Sequence, residues 1–509
     1  MASVGGLTLA SRVAGFVRDV VTAALLGAGP VADAFFVAFR LPNHFRALFA
    51  EGAFNAAFVP LFSKRHVEEG AAAAKQFAEQ VLAVLLAVQL LLLVVFELAM
   101  PAFIHVFAPG FVDDPVRFDL AVLFTRITFP YLLLISIVSL LGGILNSLGR
   151  FSAAAAAPIL LNLCLIAALL WLSPHVATPG HALAWGVLAA GVAQFALLAW
   201  AARRAGMALR LPLPRLTPGI RRFLKVLGPA ALGAGVVQIS LFVDTLIASL
   251  LPAGSVSFLY YADRINQLPL GVIGVAVGTV LLPELSRRLK SGDDEGASFQ
   301  QNRAIELSLT LTLPAAAAFL VAAGPILSAL FQRGAFTAAD SAASAAALTA
   351  YAIGLPAFVI VKSLLPGFYA REDTGTPVRI AIAAVAVNIA LKLALIGPFA
   401  HVGIALGTSA AAWVNAGLLG WTLHRRGLFR PDERLKRRLP RLLLAVAGMA
   451  AALVGAEILL SPLFDGTAAE RGLALAALVG IGAAVFGGLA LALGAVRPSD
   501  LRGLRRARG

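Results

Sequence analysis

The 509 residues are 60% hydrophobic and only 13% charged, a balance that excludes an ordinary soluble globular domain and points to an integral membrane protein. The net charge of +15 is spread over short gaps between apolar runs, not gathered on a soluble face, which argues against nucleic acid as a partner. The single cysteine, Cys164, excludes a disulfide within the chain and offers no metal-ligand spacing.

A hydrocarbon core about 30 Å thick needs about 20 apolar residues per helix. Cutting the chain at Gly, Pro and charge clusters gives fourteen segments of that kind: 5–26, 32–62, 76–107, 118–147, 152–173, 181–202, 224–251, 256–286, 302–331, 339–369, 377–397, 400–423, 441–462 and 472–495. The first carries Arg12, Arg18 and Asp19 and lacks a small-residue cleavage site, so it reads as a retained helix and not a removable signal. Alternate connections are rich in Lys and Arg, from Lys64-Arg65 through Arg150, Arg203-Arg204 and Arg287-Arg288 to Arg425–Arg441. The intervening ones, such as GAGPVA, PGFVDDP and LPAGSVS, carry almost none. That alternation places both termini in the cytoplasm. No GxxxxGK[ST] occurs and no connection is long enough for a nucleotide-binding domain, so transport would be driven by gradients or by partners.

The run VRDVVTAALLGAGPV at 17–31 is echoed by FVDTLIASLLPAGSV at 242–256, an offset of 225 that recurs along the chain. Two six-helix halves follow, 1–215 and 216–430, with 431–509 holding the last two helices and a basic tail. Six is even, so both halves start on the same side and the repeat is parallel. Such two-lobed transporters hold substrate between the lobes and work by alternating access. The expected fold is therefore an all-α polytopic membrane protein of fourteen helices, two six-helix lobes in a V around a central cationic cavity plus two C-terminal helices.

An ionised group at the bilayer centre costs about 2.5 to 3.5 kcal/mol on insertion scales and must face protein or water. On the second segment Asp33, Arg40, His44, Glu51 and Asn55 recur at spacings of 7, 4, 7 and 4, one polar stripe that reads as a wet wall, with Asn43 and Arg46 beside it. Pro42 and Gly52 should bend or unwind that helix. The eighth segment carries Tyr261, Asp263, Arg264, Asn266 and Gln267, while Arg126 and Lys362 add cations on the fourth and tenth. Arg18, Arg46 and Arg264 are in excess of obvious partners, so the cavity should attract an anion, and arginine's planar fork suits phosphate oxygens. The plainer alternative is that each arginine pairs with a carboxylate to hold helices together.

The runs SRVAGFVRD (11–19), DAFFVAFRLPN (33–43), FAEGAFNAAFVP (49–60), YYADRINQLPLGVIGVAVGTVLLP (260–283), LFQRGAF and GLPAFVIVKSLLPGFYAREDTGTP (354–377) closely resemble the MurJ (MviN) lipid II flippase family of the multidrug/oligosaccharidyl-lipid/polysaccharide exporter superfamily. The resemblance covers about residues 5 to 430. It implies a transporter, not an enzyme, that moves undecaprenyl-diphosphate-linked peptidoglycan precursor from the cytoplasmic to the periplasmic leaflet of the bacterial inner membrane. It further implies a cationic triad of Arg18, Arg46 and Arg264 on the diphosphate, with Arg12, Asp19, Asp33, Asn43, Glu51 and Asp263 shaping or gating the cavity. The last two helices would form a groove for the lipid tail. Implied partners are lipid II, membrane lipids and the cell-wall synthesis machinery, with the chain a monomer, no cofactor, and drive from the membrane potential or an ion gradient. Some family members bind sodium in the second lobe. The matching positions here are Asp244, Asn388, Lys392 and Thr408 with the Ile404 carbonyl, and Lys392 stands where a second carboxylate would complete the ion site. The expectation is that its ammonium replaces sodium and pairs with Asp244.

Four rival readings remain at this level. A flippase for another polyprenyl-diphosphate-linked glycan, an O-antigen or teichoic-acid precursor, would share the cationic cavity. A drug/cation antiporter would need an anionic one. An enzyme acting on polyprenyl diphosphates would need paired carboxylates for a metal, or a nucleophile and base, within the cavity set. A scaffold would leave the cationic wall without a purpose.

Overall fold

The computed structural model describes residues 2–49 and 52–497, and every regular element in them is helical. Two compact units emerge: residues 1–257 with 334–336, and residues 258–333 with 337–509.

The first unit contains α1 (Ala2–Leu26), α2 (Pro30–Phe49), α3 (Gly52–Glu68), α4 (Gly70–Phe107), α5 (Pro115–Thr128), α6 (Tyr131–Ser147), α7 (Ser152–Ala167), α8 (Pro179–Arg204) and α9 (Pro218–Ser249). The expected single helix over 32–62 is seen as α2 up to Phe49 and α3 from Gly52, and residues 50–51 between them lie outside the described residues. Pro42 is tolerated inside α2 without ending it. The expected 118–147 segment is one apolar span, Pro115–Ser147, interrupted at residues 129–130 because Pro130 has no N–H to continue the ladder out of α5. Helix starts follow local chemistry: Asp114 and Thr217 each accept the first free backbone amides, and each is followed by a proline at the first helical position.

Packing in this unit follows sequence spacing. Phe54, Phe58 and Phe62 recur every fourth residue, so they share one face of α3. They stack in sequence, meet Phe77 of α4 and Phe223 of α9, and are all buried. Arg65 closes the column with its guanidinium 4.5 Å from the Phe77 ring centre. Elsewhere α1 packs on α7, α2 on α5, and α6 and α7 on α8.

The second unit holds most of α10 (Ser255–Lys290), then α11 (Asp294–Phe331), α12 (Ala338–Tyr369), α13 (Gly375–Arg425), α14 (Glu433–Phe464) and α15 (Ala468–Ala492). Ile305, Leu364, Phe368, Leu419, Leu423 and Leu442 form its main apolar core. Glu306 is 9% exposed and accepts from Arg303, Arg434 and Arg438, while Arg303 also reaches Asp432, so α11 and the start of α14 share one ion cluster.

The expected segments 377–397 and 400–423 are the two helical arms of α13, which meet at a kink at Ala400, φ 46 and ψ −128. Its two arms pack on one another: a Cβ added to Gly403 would lie 2.3 Å from the Leu395 carbonyl oxygen, and one added to Gly407 would lie 2.8 Å from Lys392 Cγ. Two small residues four apart let the arms approach this closely.

Among the described residues nine helical spans, one of them α5 and α6 taken together, are long and apolar enough to cross a membrane by length and composition. The nine do not include α1 and α2, which carry much of the charge read from the sequence.

Two outcomes follow. Gly403→Ala sets a methyl against a main-chain oxygen and should lower stability by about 1–3 kcal/mol, read as a fall in melting temperature of the detergent-purified protein; Gly417→Ala, with open space around it, should not. The second concerns pH. The Thr376 backbone amide and then Arg426, bonded at 2.7 Å, hold the Asp373 carboxyl down at about 2 from 3.8. A depressed carboxylate stabilises the fold above its unfolded value and loses that contribution as pH falls through the folded one. Asp373→Asn should therefore melt below wild type at pH 7, with the gap closing between pH 4 and pH 2.

Candidate functional site

In the first unit the charges on α1 and α2 are tied down individually. Arg18, 8% exposed, donates from Nε and Nη2 to Asp19 Oδ1 at 3.0 and 2.7 Å, and from Nη1 to Asn162 Oδ1 at 2.9 Å. Asn162 in turn donates to the Ser11 carbonyl, so α7 fixes the orientation of the arginine on α1. This corrects the reading of Arg18 as in excess of partners: its carboxylate is the adjacent residue. Arg12 lies exposed on the same helix.

Asp33 departs furthest from expectation. It is fully buried, and its carboxylate accepts from the Gly254 amide at 2.7 Å, the Ser257 amide at 2.8 Å and the Ser257 hydroxyl at 2.6 Å. The acceptor therefore caps the first turn of α10, where unsatisfied N–H groups and the positive end of the helix dipole favour an anion. The stripe from Asp33 to Asn55 is accordingly not one wet wall, because its first member is sealed in protein. The next two also have partners, Arg40 donating to Thr245 Oγ1 at 3.3 Å and His44 Nδ1 lying 2.9 Å from Gln238 Oε1. Glu51 falls outside the described residues.

Arg46 lies at a cavity. Its Nε donates to Asn43 Oδ1 at 3.2 Å, and Asn43 Nδ2 donates back to the Phe39 carbonyl. Both side chains line a space of about 310 Å³ with Asn55, Tyr131, Asn146 and Gln194. Apart from Arg46 its polar lining is uncharged, and it is large enough to admit part of a ligand. Sequence reasoning named Asn55 but missed Tyr131, Asn146, Gln194 and Asn162; for the last three the signal available was a lone Asn or Gln within an otherwise apolar run.

In the second unit the Arg264 guanidinium lies over the Tyr260 ring, 4.7 Å from its centre, and Asp263 accepts from Gln267 one turn on. The position matched to an ion ligand, Asp244, lies in the first unit, half-buried on α9. Within α13, Lys392 is fully buried and Asn388 is 8% exposed, its Oδ1 accepting no hydrogen bond among the described residues. The Ile404 carbonyl, expected as an ion ligand, accepts from the Thr408 hydroxyl at 3.0 Å. Within α13 this set offers neutral oxygens from Asn388 and Thr408, with a lysine where a second carboxylate would stand. No cluster of three or more His, Cys, Asp or Glu suited to a metal occurs among the described residues.

The clasp around Asp33 gives a direct test. In Asp33→Asn the amide nitrogen cannot accept, so one face of the clasp is left without an acceptor at a cost of about 1–3 kcal/mol. Ser257→Ala removes only the hydroxyl and should cost about 0.5–1.5 kcal/mol. Melting curves should rank wild type above Ser257→Ala above Asp33→Asn; equal melting for all three would mean the clasp stabilises nothing.

The comparisons agree with one another. The sequence model of the family described as lipid II flippase MurJ matches residues 22–471. A protein of Rhizobium meliloti named "Probable lipid II flippase MurJ" is 49% identical over 507 residues, covering 98% of this chain and 95% of the relative. A "Lipid II flippase MurJ" of Burkholderia cenocepacia is 38% identical over 434 residues, 84% of each chain. Among solved structures, a lipid II flippase MurJ in an inward closed conformation superposes with a TM-score of 0.79 at 25% identity over 96% of this chain and 98% of that one. An inward-facing multidrug-resistance transporter described as of the MATE family of the MOP superfamily shares the fold at TM-score 0.69 and 16% identity, over 82% of this chain and 94% of the other. With the family model spanning most of the chain and a relative this similar along nearly its full length, the chain belongs to the lipid II flippase MurJ family and is an integral membrane protein.

Proposed function

We propose that the protein is a lipid II flippase of the bacterial inner membrane, carrying the undecaprenyl-diphosphate-linked precursor from the cytoplasmic to the periplasmic leaflet by alternating access, as a transporter and not an enzyme. The observation that carries this reading is family membership across nearly the whole length, together with arginines retained on otherwise apolar helices. In this reading the chain crosses the membrane fourteen times with both termini in the cytoplasm, and its lobes are 1–215 and 216–430. The segment 431–509 supplies the lipid-tail groove and a basic cytoplasmic tail.

Arg18, Arg46 and Arg264 hold the diphosphate. What supports this is their preparation: Arg18 is pinned by Asp19 and Asn162, Arg46 is steadied by Asn43 at a polar cavity, and Arg264 rests on Tyr260. Guanidinium groups already oriented lose less freedom on binding a phosphate than mobile ones do. Arg12, Asp19, Asn43, Glu51 and Asp263 shape the cavity. Asp33 gates it, since releasing the start of α10 from α2 requires breaking three hydrogen bonds to one carboxylate.

Outward movement of an anion across an inside-negative membrane gains about 2.3 kcal/mol per charge per 100 mV, which favours export of a diphosphate headgroup. Lys392 supplies within α13 the positive charge that sodium supplies in some relatives, so flipping is independent of sodium at fixed potential. The protein works as a monomer with lipid II, bulk lipid and the cell-wall synthesis machinery as its partners.

Depletion in a host bacterium should accumulate lipid II in the cytoplasmic leaflet; accumulation in the periplasmic leaflet, or none, would overturn the assignment. Arg46→Ala and Arg264→Ala should each abolish complementation at normal protein level, and survival of both variants would remove the triad.

A further inference from the structure

At one end of the first unit the last turns of α6 and α8 meet the opening turns of α1 and α7 around a groove of about 1180 Å³. Val4, Leu7, Leu145, Phe151, Ala156 and Leu197 give it an apolar wall, and Arg150, Trp200 and Arg204 stand at its edge. Local geometry fixes these three. Both helices end in a left-handed residue, Gly149 at φ 72 and Gly206 at φ 77, with the following amide returning to a carbonyl five residues back, Arg150 to Leu145 at 2.8 Å and Met207 to Ala202 at 2.9 Å. Arg150 Nη1 then donates to the Arg204 carbonyl at the end of α8, at 3.3 Å, and the Arg204 guanidinium lies 4.3 Å from the centre of the Trp200 ring. Among the described residues neither arginine forms an ion pair with a carboxylate, and no acidic residue lines the groove.

Both arginines fall on connections that the Lys/Arg alternation assigns to the cytoplasmic side, where the leaflet surface is anionic. Trp200, half-exposed beside them, is of the type enriched at the membrane–water boundary. An apolar groove lined also by two arginines, one of them bonded to the main chain of the other, matches an amphiphile with a negatively charged phosphate head. We propose that this groove is a binding site for an anionic phospholipid of the cytoplasmic leaflet, with its phosphate between Arg150 and Arg204 and an acyl chain along the wall of α1, α6 and α7. A zwitterionic lipid fits less well, because the groove offers no carboxylate to its ammonium and the Trp200 face is already covered by Arg204. The site is separate from the arginines assigned to the transported diphosphate, and its occupancy is measurable without any flipping.

The test is native mass spectrometry of the full chain in detergent, titrated with dioleoylphosphatidylglycerol and, separately, dioleoylphosphatidylcholine. Wild type should bind the anionic lipid about tenfold more tightly, the order expected of two basic residues at a lipid phosphate. The R150Q/R204Q double variant should bind the two lipids equally, while R150K/R204K keeps the preference; melting temperatures show that each variant is folded. Equal binding of both lipids by wild type, or an undiminished preference in R150Q/R204Q, would overturn the proposal.

Discussion

Moving a charge out of water costs free energy that only a specific partner recovers, and a carboxylate buried without one is strongly destabilising. The described charges on α1 and α2 are arranged around that requirement. Asp33 recovers it from two backbone amides and a hydroxyl, Arg18 from an adjacent carboxylate and an asparagine on α7, and Arg40 and His44 from single neutral side chains on α9. Apart from Arg18–Asp19 within α1, these bonds also decide packing, since each joins two different elements at one register.

The second unit uses the same physics at a helix start. Glu306 gathers three arginines, so the carboxylate is over-supplied and the cluster keeps a positive balance where α14 begins. Within α13 the requirement is steric: two glycines let the arms touch, and Lys392 is enclosed where they meet.

The helical character of the chain was legible from the length and purity of its apolar runs, and most helix positions follow. Breaks were less so. The kink inside α13 falls at Ala400, on the expected boundary between 397 and 400, and Pro130 ends α5 as a proline should, yet Pro42 leaves α2 intact. Proline removes one donor, and tertiary packing decides whether the chain turns there. For the site, the charges themselves were visible as anomalies in apolar runs, whereas their partners were not. Asn162 is 144 residues from Arg18 and Ser257 is 224 from Asp33, and nothing in a local pattern joins positions so far apart.

The Asp33 clasp has an evolutionary corollary. Two of its three donors belong to the main chain, so they are present whatever side chain stands at 254 or 257, proline excepted. Constraint on this contact is thus uneven. Position 254 is held to glycine by its backbone φ of 95 and not by the contact, position 257 supplies its amide with most side chains, and the acceptor on α2 has little choice but a short carboxylate, which makes Asp33 the informative position for recognising the same fastening in distant relatives.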